Sequence, residues 1–197
     1  MSQHSVCQER APQAAASTRQ AISTLGPSGT SSEQAAKHFL EHLGADNGQI
    51  LLHLSYHDAA ISVPNGEADY LVVANAFHGI NDFYMDPTTD VHSVFHMLTP
   101  MYGLAKRPNI SLPTQLEVIS HPAPVALITE LMPQGYECTR IIPANSTASA
   151  AKAVNRGDYD VALTTHPAAE QNNLRFFSNQ RPIEMVWTVF TQHQERI

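Results

Sequence analysis

Cysteines, basic residues and long apolar runs are all scarce in this chain of 197 residues, and each scarcity excludes a class of protein. With only Cys7 and Cys138 present, neither a disulfide framework nor a cysteine-rich zinc site is expected. The 11 Lys and Arg residues against 18 Asp and Glu give a formal net charge of -7, which argues against nucleic acid or an anionic membrane as the main partner. No apolar run approaches the roughly 20 residues that a membrane span requires.

The first 20 residues, "MSQHSVCQERAPQAAASTRQ", lack the basic start and the apolar stretch of a secretory signal. We therefore expect residues 1–20 to form a flexible arm and the protein to be cytoplasmic. Any anionic ligand must be captured locally, because the basic residues are scattered along an acidic chain.

The remaining sequence alternates between strand-like and helix-like segments, which favours an α/β fold. Five strand-like stretches each lead into a helical pattern: "AISTL", "ADYLVVANA", "LEVISHP", "CTRIIPANS" and "YDVALTT". The last apolar stretch, "MVWTVFTQ", is interpreted as a strand that returns to the first lobe. The segment "TPMYGLAKRP", between Pro100 and Pro108, is a candidate hinge. We expect one lobe from residues 21–101 plus 180–197 and a second from residues 102–179.

Several of these strands end in hydroxyl, amide or imidazole residues that open a helix. In an open α/β sheet such turns meet at one edge, where free backbone N–H groups and the helix dipole favour an anion. The alternative is that these residues are ordinary helix N-caps. The candidate ligand-binding residues at these turns are Thr30, Ser31, Asn75, His78, Ser120, His121, Ser146 and Thr147.

Four motifs, in order along the chain, resemble those of the prephenate dehydratase superfamily. They are "GPSGTSSEQAA", "VISHPAP", "NSTASAAKAV" and "DYDVALTTHPAAEQNNL", and the resemblance covers roughly Ser23 to Gln192. It implies a two-lobed fold of the type II periplasmic-binding-protein kind, with the substrate in the cleft between the lobes.

Other segments depart from the dehydratases. The final strand has Trp187-Thr188-Val189-Phe190 where dehydratases have a Thr-Arg-Phe motif, so the arginine is absent. The segments "VANAFHGINDFYMDP" and "TPMYGLAKRP" resemble those of the bacilysin-type prephenate decarboxylases. No regulatory ACT domain is expected.

The resemblance implies the non-aromatising decarboxylation of prephenate to a dihydro-4-hydroxyphenylpyruvate, on the way to a non-proteinogenic amino acid or an antibiotic peptide. That reaction requires neither a metal nor an organic cofactor, and a homodimer is compatible with it. Two alternatives stay open: a prephenate or arogenate dehydratase without its regulatory domain, and a non-catalytic carboxylate-binding module.

The reaction needs a proton donor, a carboxylate clamp and apolar walls. Tyr84 is the first candidate for the donor, ahead of His121, Thr188 and a bound water. Arg107 is the candidate clamp, because a guanidinium can hold a carboxylate with two hydrogen bonds, although Lys106 and Arg107 are also compatible with a solvated surface.

Met101 and Tyr102 are candidate walls, with core packing as the alternative. The chain also has 11 histidines, some of them in pairs spaced by four residues. These pairs lack the further ligand of a metal motif, so no metal site is expected.

Overall fold

The protein is described by a computed structural model that covers residues 20–45 and 47–193. The expected N-terminal arm, apart from Gln20, lies outside the described residues. Among the helices of the described part, none has both the length and the apolar character that crossing a membrane would require.

The first of two five-stranded sheets has the strand order β2-β1-β3-β10-β4. Strands β1 to β3 are parallel, and β10 lies antiparallel between β3 and β4. The strands are β1 (Ala21–Leu25), β2 (Gln49–His53), β3 (Tyr70–Ala74), β4 (Thr89–Leu98) and β10 (Glu184–Gln192). Strand β10 comes from the end of the described chain, so the expected return of the chain to the first lobe is confirmed.

Three helices pack on this sheet: α1 (Ser31–His42), α2 (Tyr56–Ile61) and α3 (Ile80–Tyr84). The shared core takes Ala35, Ala36 and Phe39 from α1 and Leu71, Val72 and Val73 from β3, all at most 3% exposed. Small alanines on α1 allow the helix to approach the sheet closely.

The second sheet has the order β7-β6-β8-β5-β9. Its strands are β5 (Tyr102–Lys106), β6 (Gln115–Ser120), β7 (Glu137–Pro143), β8 (Val161–Thr165) and β9 (Arg175–Phe176). Its helices are α4 (Ala126–Leu131), α5 (Thr147–Arg156) and α6 (His166–Gln171). Helix α5 packs on β8 through an alanine-rich face and ends at Gly157, whose φ of 88° favours glycine.

The chain crosses between the sheets twice, once from β4 to β5 and once from β9 to β10. The candidate hinge "TPMYGLAKRP" is only partly a connection, because β5 occupies Tyr102–Lys106 and lies buried in the second sheet. The two-sheet α/β fold is confirmed. The lobe limits predicted from the sequence stay a prediction, and the two sheets draw on residues 21–98 with 184–192 and on residues 102–176.

Candidate active site

A cleft of about 850 Å³ opens between the two sheets. Residues 30–32, 54–57, 74 and 76–78, together with Trp187, line it from the first lobe, and residues 121–124 and 143–147 line it from the second. Seven of the residues predicted from the sequence lie in its wall: Thr30, Ser31, His78, Tyr102, His121, Ser146 and Thr147.

Helix α1 begins at the cleft because Thr30 is a well-formed N-cap. Its Oγ1 accepts a hydrogen bond from the Glu33 N–H at 3.2 Å. The Glu33 carboxylate in turn accepts the Gly29 N–H at 2.6 Å. Burial raises the pKa of Glu33, but hydrogen bonds from Lys37, Gly29 and Ser28 outweigh it and lower the pKa overall. These contacts fix the turn that precedes the helix.

Helix α5 begins at the same cleft from the opposite lobe. The Ser146 Oγ accepts the Ser149 N–H at 3.0 Å, and the Ser149 Oγ accepts the Ser146 N–H at 2.9 Å. This reciprocal pair holds the helix start. The first N–H groups of a helix have no partner within it, and the dipole is positive there. Two helices of at least ten residues thus present anion-binding ends to one cavity.

A chain of hydrogen bonds orients the Ser32 hydroxyl in the cleft wall. The Tyr56 hydroxyl accepts the Ala74 N–H at 3.2 Å and lies 2.8 Å from the Ser32 Oγ. The Tyr56 hydroxyl thus links the Ser32 side chain to the backbone of β3 at Ala74. Burial raises the pKa of Tyr56 to about 12, so the tyrosine remains a neutral donor.

His121 lies in the cleft wall directly after β6. Its Nδ1 accepts the Ala123 N–H at 3.2 Å, so the proton of the neutral ring is on Nε2. Burial lowers the pKa of His121, and the positive charge of His78 on the other lobe lowers it further. His121 therefore titrates below its ordinary range in the ligand-free protein.

The cleft wall contains neither lysine nor arginine among the described residues. Its ionisable side chains other than tyrosine are His57, His78, His121 and Glu184. A bound anion must therefore be neutralised by backbone N–H groups, hydroxyls and imidazoles.

The expected clamp, Arg107, does not reach the cleft. Its guanidinium donates to the Val154 and Tyr159 carbonyl oxygens at 2.6 and 3.0 Å and to Asp160 at 2.8 Å. Val154 is in the last turn of α5, whereas the cleft is at the first turn, so Arg107 stabilises the opposite end of that helix. The clamp prediction is corrected for this reason.

Tyr84 and Thr188 are brought together, but outside the cleft wall. The Tyr84 hydroxyl lies 2.8 Å from the Thr188 Oγ1, which donates to the Asn75 Oδ1 at 2.9 Å. Tyr84, Thr188 and Asn75 are not among the residues that line the cleft, so their placement in its wall is corrected.

Two further predicted residues also lie outside the wall. Met101 is 40% exposed in the connection before β5. Ser120 is fully buried and donates to the His121 carbonyl oxygen at 2.8 Å, so it shapes the turn without lining the cavity.

The wall residues that were not predicted include Ser32, Tyr56, His57, Glu184 and Trp187. Ser32 was within reach, since it follows Thr30 and Ser31 in the same helix start. Tyr56 and His57 belong to α2, to which the sequence analysis assigned no helix. Among the described residues, no cluster of three His, Cys, Asp or Glu side chains could hold a metal.

The sequence is similar to a known family and to proteins of known activity. The sequence model of the prephenate dehydratase family matches residues 22–185. The chain is 36% identical over 176 residues to a prephenate decarboxylase from Bacillus subtilis (strain 168), covering 86% of this chain and 85% of the relative. It is 35% identical over 184 residues to a prephenate decarboxylase from Planktothrix agardhii (strain NIVA-CYA 126/8), covering 88% of this chain and 91% of that relative.

Solved structures support the fold alone, because their sequence identities are low. The prephenate dehydratase from Arthrobacter aurescens in complex with L-Phe superposes with a TM-score of 0.72 at 19% identity, over 90% of this chain and 63% of that chain. The present chain thus spans less than two thirds of that protein. The periplasmic VFT2 domain of BvgS from Bordetella pertussis gives a TM-score of 0.50 at 14% identity over 88% and 80% of the two chains.

These likenesses confirm the type II periplasmic-binding-protein-like fold and the resemblance drawn from the motifs. The family match over residues 22–185 shows that the chain belongs to the prephenate dehydratase family, and its relatives at 35–36% identity are prephenate decarboxylases.

Proposed function

We propose that this protein catalyses the non-aromatising decarboxylation of prephenate to a dihydro-4-hydroxyphenylpyruvate. The similarity to two prephenate decarboxylases, 36% and 35% identical over 86% and 88% of this chain, carries the proposal. The cleft supports it, because its 850 Å³ volume and its two helix N-termini suit a small organic anion.

Prephenate is a dianion whose two carboxyl groups have different fates. The pyruvyl carboxylate stays with the product and needs firm binding, while the ring carboxylate leaves and gains from weak solvation. Strong donors to the ring carboxylate would stabilise the ground state and slow its loss. The N–H groups at the start of α1 and α5 therefore serve the pyruvyl end.

The reaction breaks the bond between the quaternary ring carbon and its carboxylate. The carboxylate departs as carbon dioxide, and the electron pair of that bond shifts into a neighbouring ring alkene. The far carbon of that alkene takes up a proton, and the ring hydroxyl stays in place. The alternative outcome, aromatisation, requires the hydroxyl to be protonated and to leave as water.

His121 is the proton donor in this scheme. Of the three catalytic candidates drawn from the sequence, it alone lines the cleft, whereas Tyr84 and Thr188 hydrogen-bond each other outside the wall. A bound dianion favours the protonated imidazole, so the substrate itself charges the acid that it needs. His78, on the opposite lobe, faces the same cavity.

Further features complete the proposal. The reaction proceeds without a metal or an organic cofactor, because the substrate's own alkenes accept the electron pair. The protein works in the cytoplasm, as a homodimer, in the biosynthesis of a non-proteinogenic amino acid or an antibiotic peptide.

A product assay tests the activity. Purified protein is incubated with prephenate, with and without a chelator, and the released carbon dioxide, the product mass and the ultraviolet spectrum are recorded. We expect loss of carbon dioxide alone, a product without the phenylpyruvate chromophore, and no effect of the chelator. A protein-free blank corrects for acid-driven aromatisation.

Two other outcomes of this assay would assign the protein a different function. Phenylpyruvate formed in proportion to enzyme would mark a dehydratase. Saturable binding of prephenate without turnover would mark a carboxylate-binding module. Either result overturns the proposed activity.

A further inference from the structure

Trp187 is the sole tryptophan of the chain, and its indole N–H has no acceptor within the described residues. Trp187 is 1% exposed, and less than 1 Å² of its Nε1 is accessible to solvent. Trp187 lies in the middle of β10, paired with Ala74 of β3 on one side and Phe95 of β4 on the other.

A buried donor without an acceptor is costly and rare. Folded proteins satisfy the large majority of their buried polar groups, and a buried N–H that loses its partner in water gains nothing in return. A phenylalanine would fill much of the same space without this cost. The N–H at this position therefore needs an explanation outside the stability of the fold.

The position of Trp187 supplies one, because Trp187 is among the residues that line the cleft. The same wall contains Ser31 and Ser32 from the first turn of α1, which is the anion-binding end of a helix of 12 residues. The indole lies on the face of the sheet that packs against α1, since its cross-strand neighbour Phe95 stacks on Phe39 of that helix at 6.1 Å. A neutral donor thus accompanies the helix end.

We propose that the Trp187 N–H, which is covered in the ligand-free protein, is uncovered when the ligand binds and then donates to an oxygen of the pyruvyl group held at the start of α1. This assignment rests on the proposed function for the identity of the ligand. The pyruvyl group is the appropriate acceptor because its oxygens are spectators, whereas a donor on the ring carboxylate would oppose decarboxylation. An indole N–H is also too weak an acid to protonate the substrate, so it binds without competing with His121.

Nuclear magnetic resonance tests the contact directly, because a single tryptophan gives a single indole N–H signal. Protein labelled with nitrogen-15 is titrated with phenylpyruvate, which carries the pyruvyl group but lacks the ring carboxylate and so undergoes no decarboxylation. We expect a saturable downfield movement of the indole proton, with a dissociation constant equal to the constant for phenylpyruvate as a competitive inhibitor. An indole signal that does not move saturably, whether the probe binds elsewhere or fails to bind, overturns the assignment.

The Trp187→Phe variant gives a second measurement. Loss of one neutral hydrogen bond should raise the dissociation constant for phenylpyruvate and the KM for prephenate by about 2- to 13-fold, with kcat largely retained. Phe95→Leu is the matched control, because Phe95 packs on the same face without lining the cleft, and it should reduce stability while leaving affinity unchanged. Unchanged affinity in folded Trp187→Phe overturns the assignment, and the resonance experiment decides alone if that variant does not fold.

These results separate from those of the product assay. Decarboxylation with an immobile indole signal removes only the role of Trp187. Phenylpyruvate as the enzymatic product, together with a saturable shift, removes the decarboxylase proposal and keeps Trp187 as a donor to the pyruvyl group.

Discussion

The Tyr102 hydroxyl lies 2.7 Å from the Ser31 Oγ, and this hydrogen bond joins the second lobe to the first turn of α1 in the first lobe. A second contact lies beside it, since Thr165, the cross-strand partner of Tyr102, donates from its Oγ1 to the Gly29 carbonyl oxygen at 2.7 Å. All four atoms lie in buried or nearly buried surroundings. The helix end that is to bind an anion is therefore held in place by the lobe opposite to its own.

Tyr102→Phe should weaken both folding and binding. The variant removes a buried neutral hydrogen bond, so the free energy of unfolding should fall by about 0.5–1.5 kcal/mol. The KM for prephenate should rise because Ser31 loses the contact that orients it. Urea unfolding and steady-state kinetics measure the two effects. Tyr70→Phe is the control, since the Tyr70 hydroxyl has no hydrogen bond to the described residues, and an equal response of both variants would contradict the role of the contact.

Arg107→Ala should affect stability and spare the substrate. The guanidinium is mostly buried and holds two carbonyl oxygens near the end of α5, so its loss should lower the free energy of unfolding by about 1.5–3 kcal/mol. The KM should not change, because the proposed ligand site is at the other end of α5. Arg140→Ala, which breaks a pair with Glu117 on exposed side chains, should have little effect on either quantity. A raised KM for Arg107→Ala would restore the clamp.

The motifs at helix starts allowed the helix N-termini in the cleft wall to be predicted. In a local pattern of this kind a hydroxyl residue precedes a helical sequence, and such a pattern is recognised from the sequence alone. The pattern occurs at Thr30 and Ser31 and again at Ser146 and Thr147. The β-α alternation gave the fold class on the same basis. Strand β4, by contrast, carries histidines and serine among its apolar residues at the edge of the sheet, and no strand was assigned there.

The errors concern residues whose role depends on distant partners. Arg107 follows a strand of the second sheet, and only the fold shows that it meets the end of α5 and not its beginning. The position of Tyr84 depends on which face of β10 its helix packs against. The sequence does not show which side chains of a strand point to which face until the register of the sheet is known. The unsatisfied N–H of Trp187 is likewise visible only when its surroundings are known.

Tyr84→Phe separates a general acid from a structural hydroxyl. Because the Tyr84 hydroxyl bonds Thr188 outside the cleft wall, we expect turnover to stay near that of the unmodified protein and the free energy of unfolding to fall by about 0.5–1.5 kcal/mol. Thr188→Val should give a similar stability loss, and the double variant should lose less than the sum, as expected for two partners of one bond. A drop in turnover of about 10²-fold or more in Tyr84→Phe would return the acid role to this tyrosine.

His121→Gln should reduce turnover because it removes the proposed proton donor. Positioned general acids contribute about 10²–10⁴-fold to rate, and kcat should fall by that factor while KM changes little. Glutamine keeps polarity and approximate size, and circular dichroism checks the fold. His57→Gln is the control, since His57 lines the cleft but its Nε2 contacts the Asp82 Oδ2 at 2.9 Å. Retained turnover in His121→Gln would leave a bound water as the donor.

Ligand binding should take up protons near pH 7. In the free protein, burial and then the charge of His78 lower the pKa of His121 below its ordinary 6.5, so at pH 7 the ring is mostly neutral. An anion in the cleft favours the imidazolium and raises this pKa, so binding draws a proton from the buffer, and the uptake should fade as the pH falls below the free-state pKa. Calorimetric titration with phenylpyruvate in two buffers of different ionisation enthalpy measures the number of protons bound.

His121→Gln should abolish most of the uptake, and His78→Gln should reduce it, because the free-state pKa of His121 is then higher and the ring is already partly charged. His57 and Glu184 also line the cleft, so uptake that survives in His121→Gln would assign the titration to one of them and contradict the proposed role of His121.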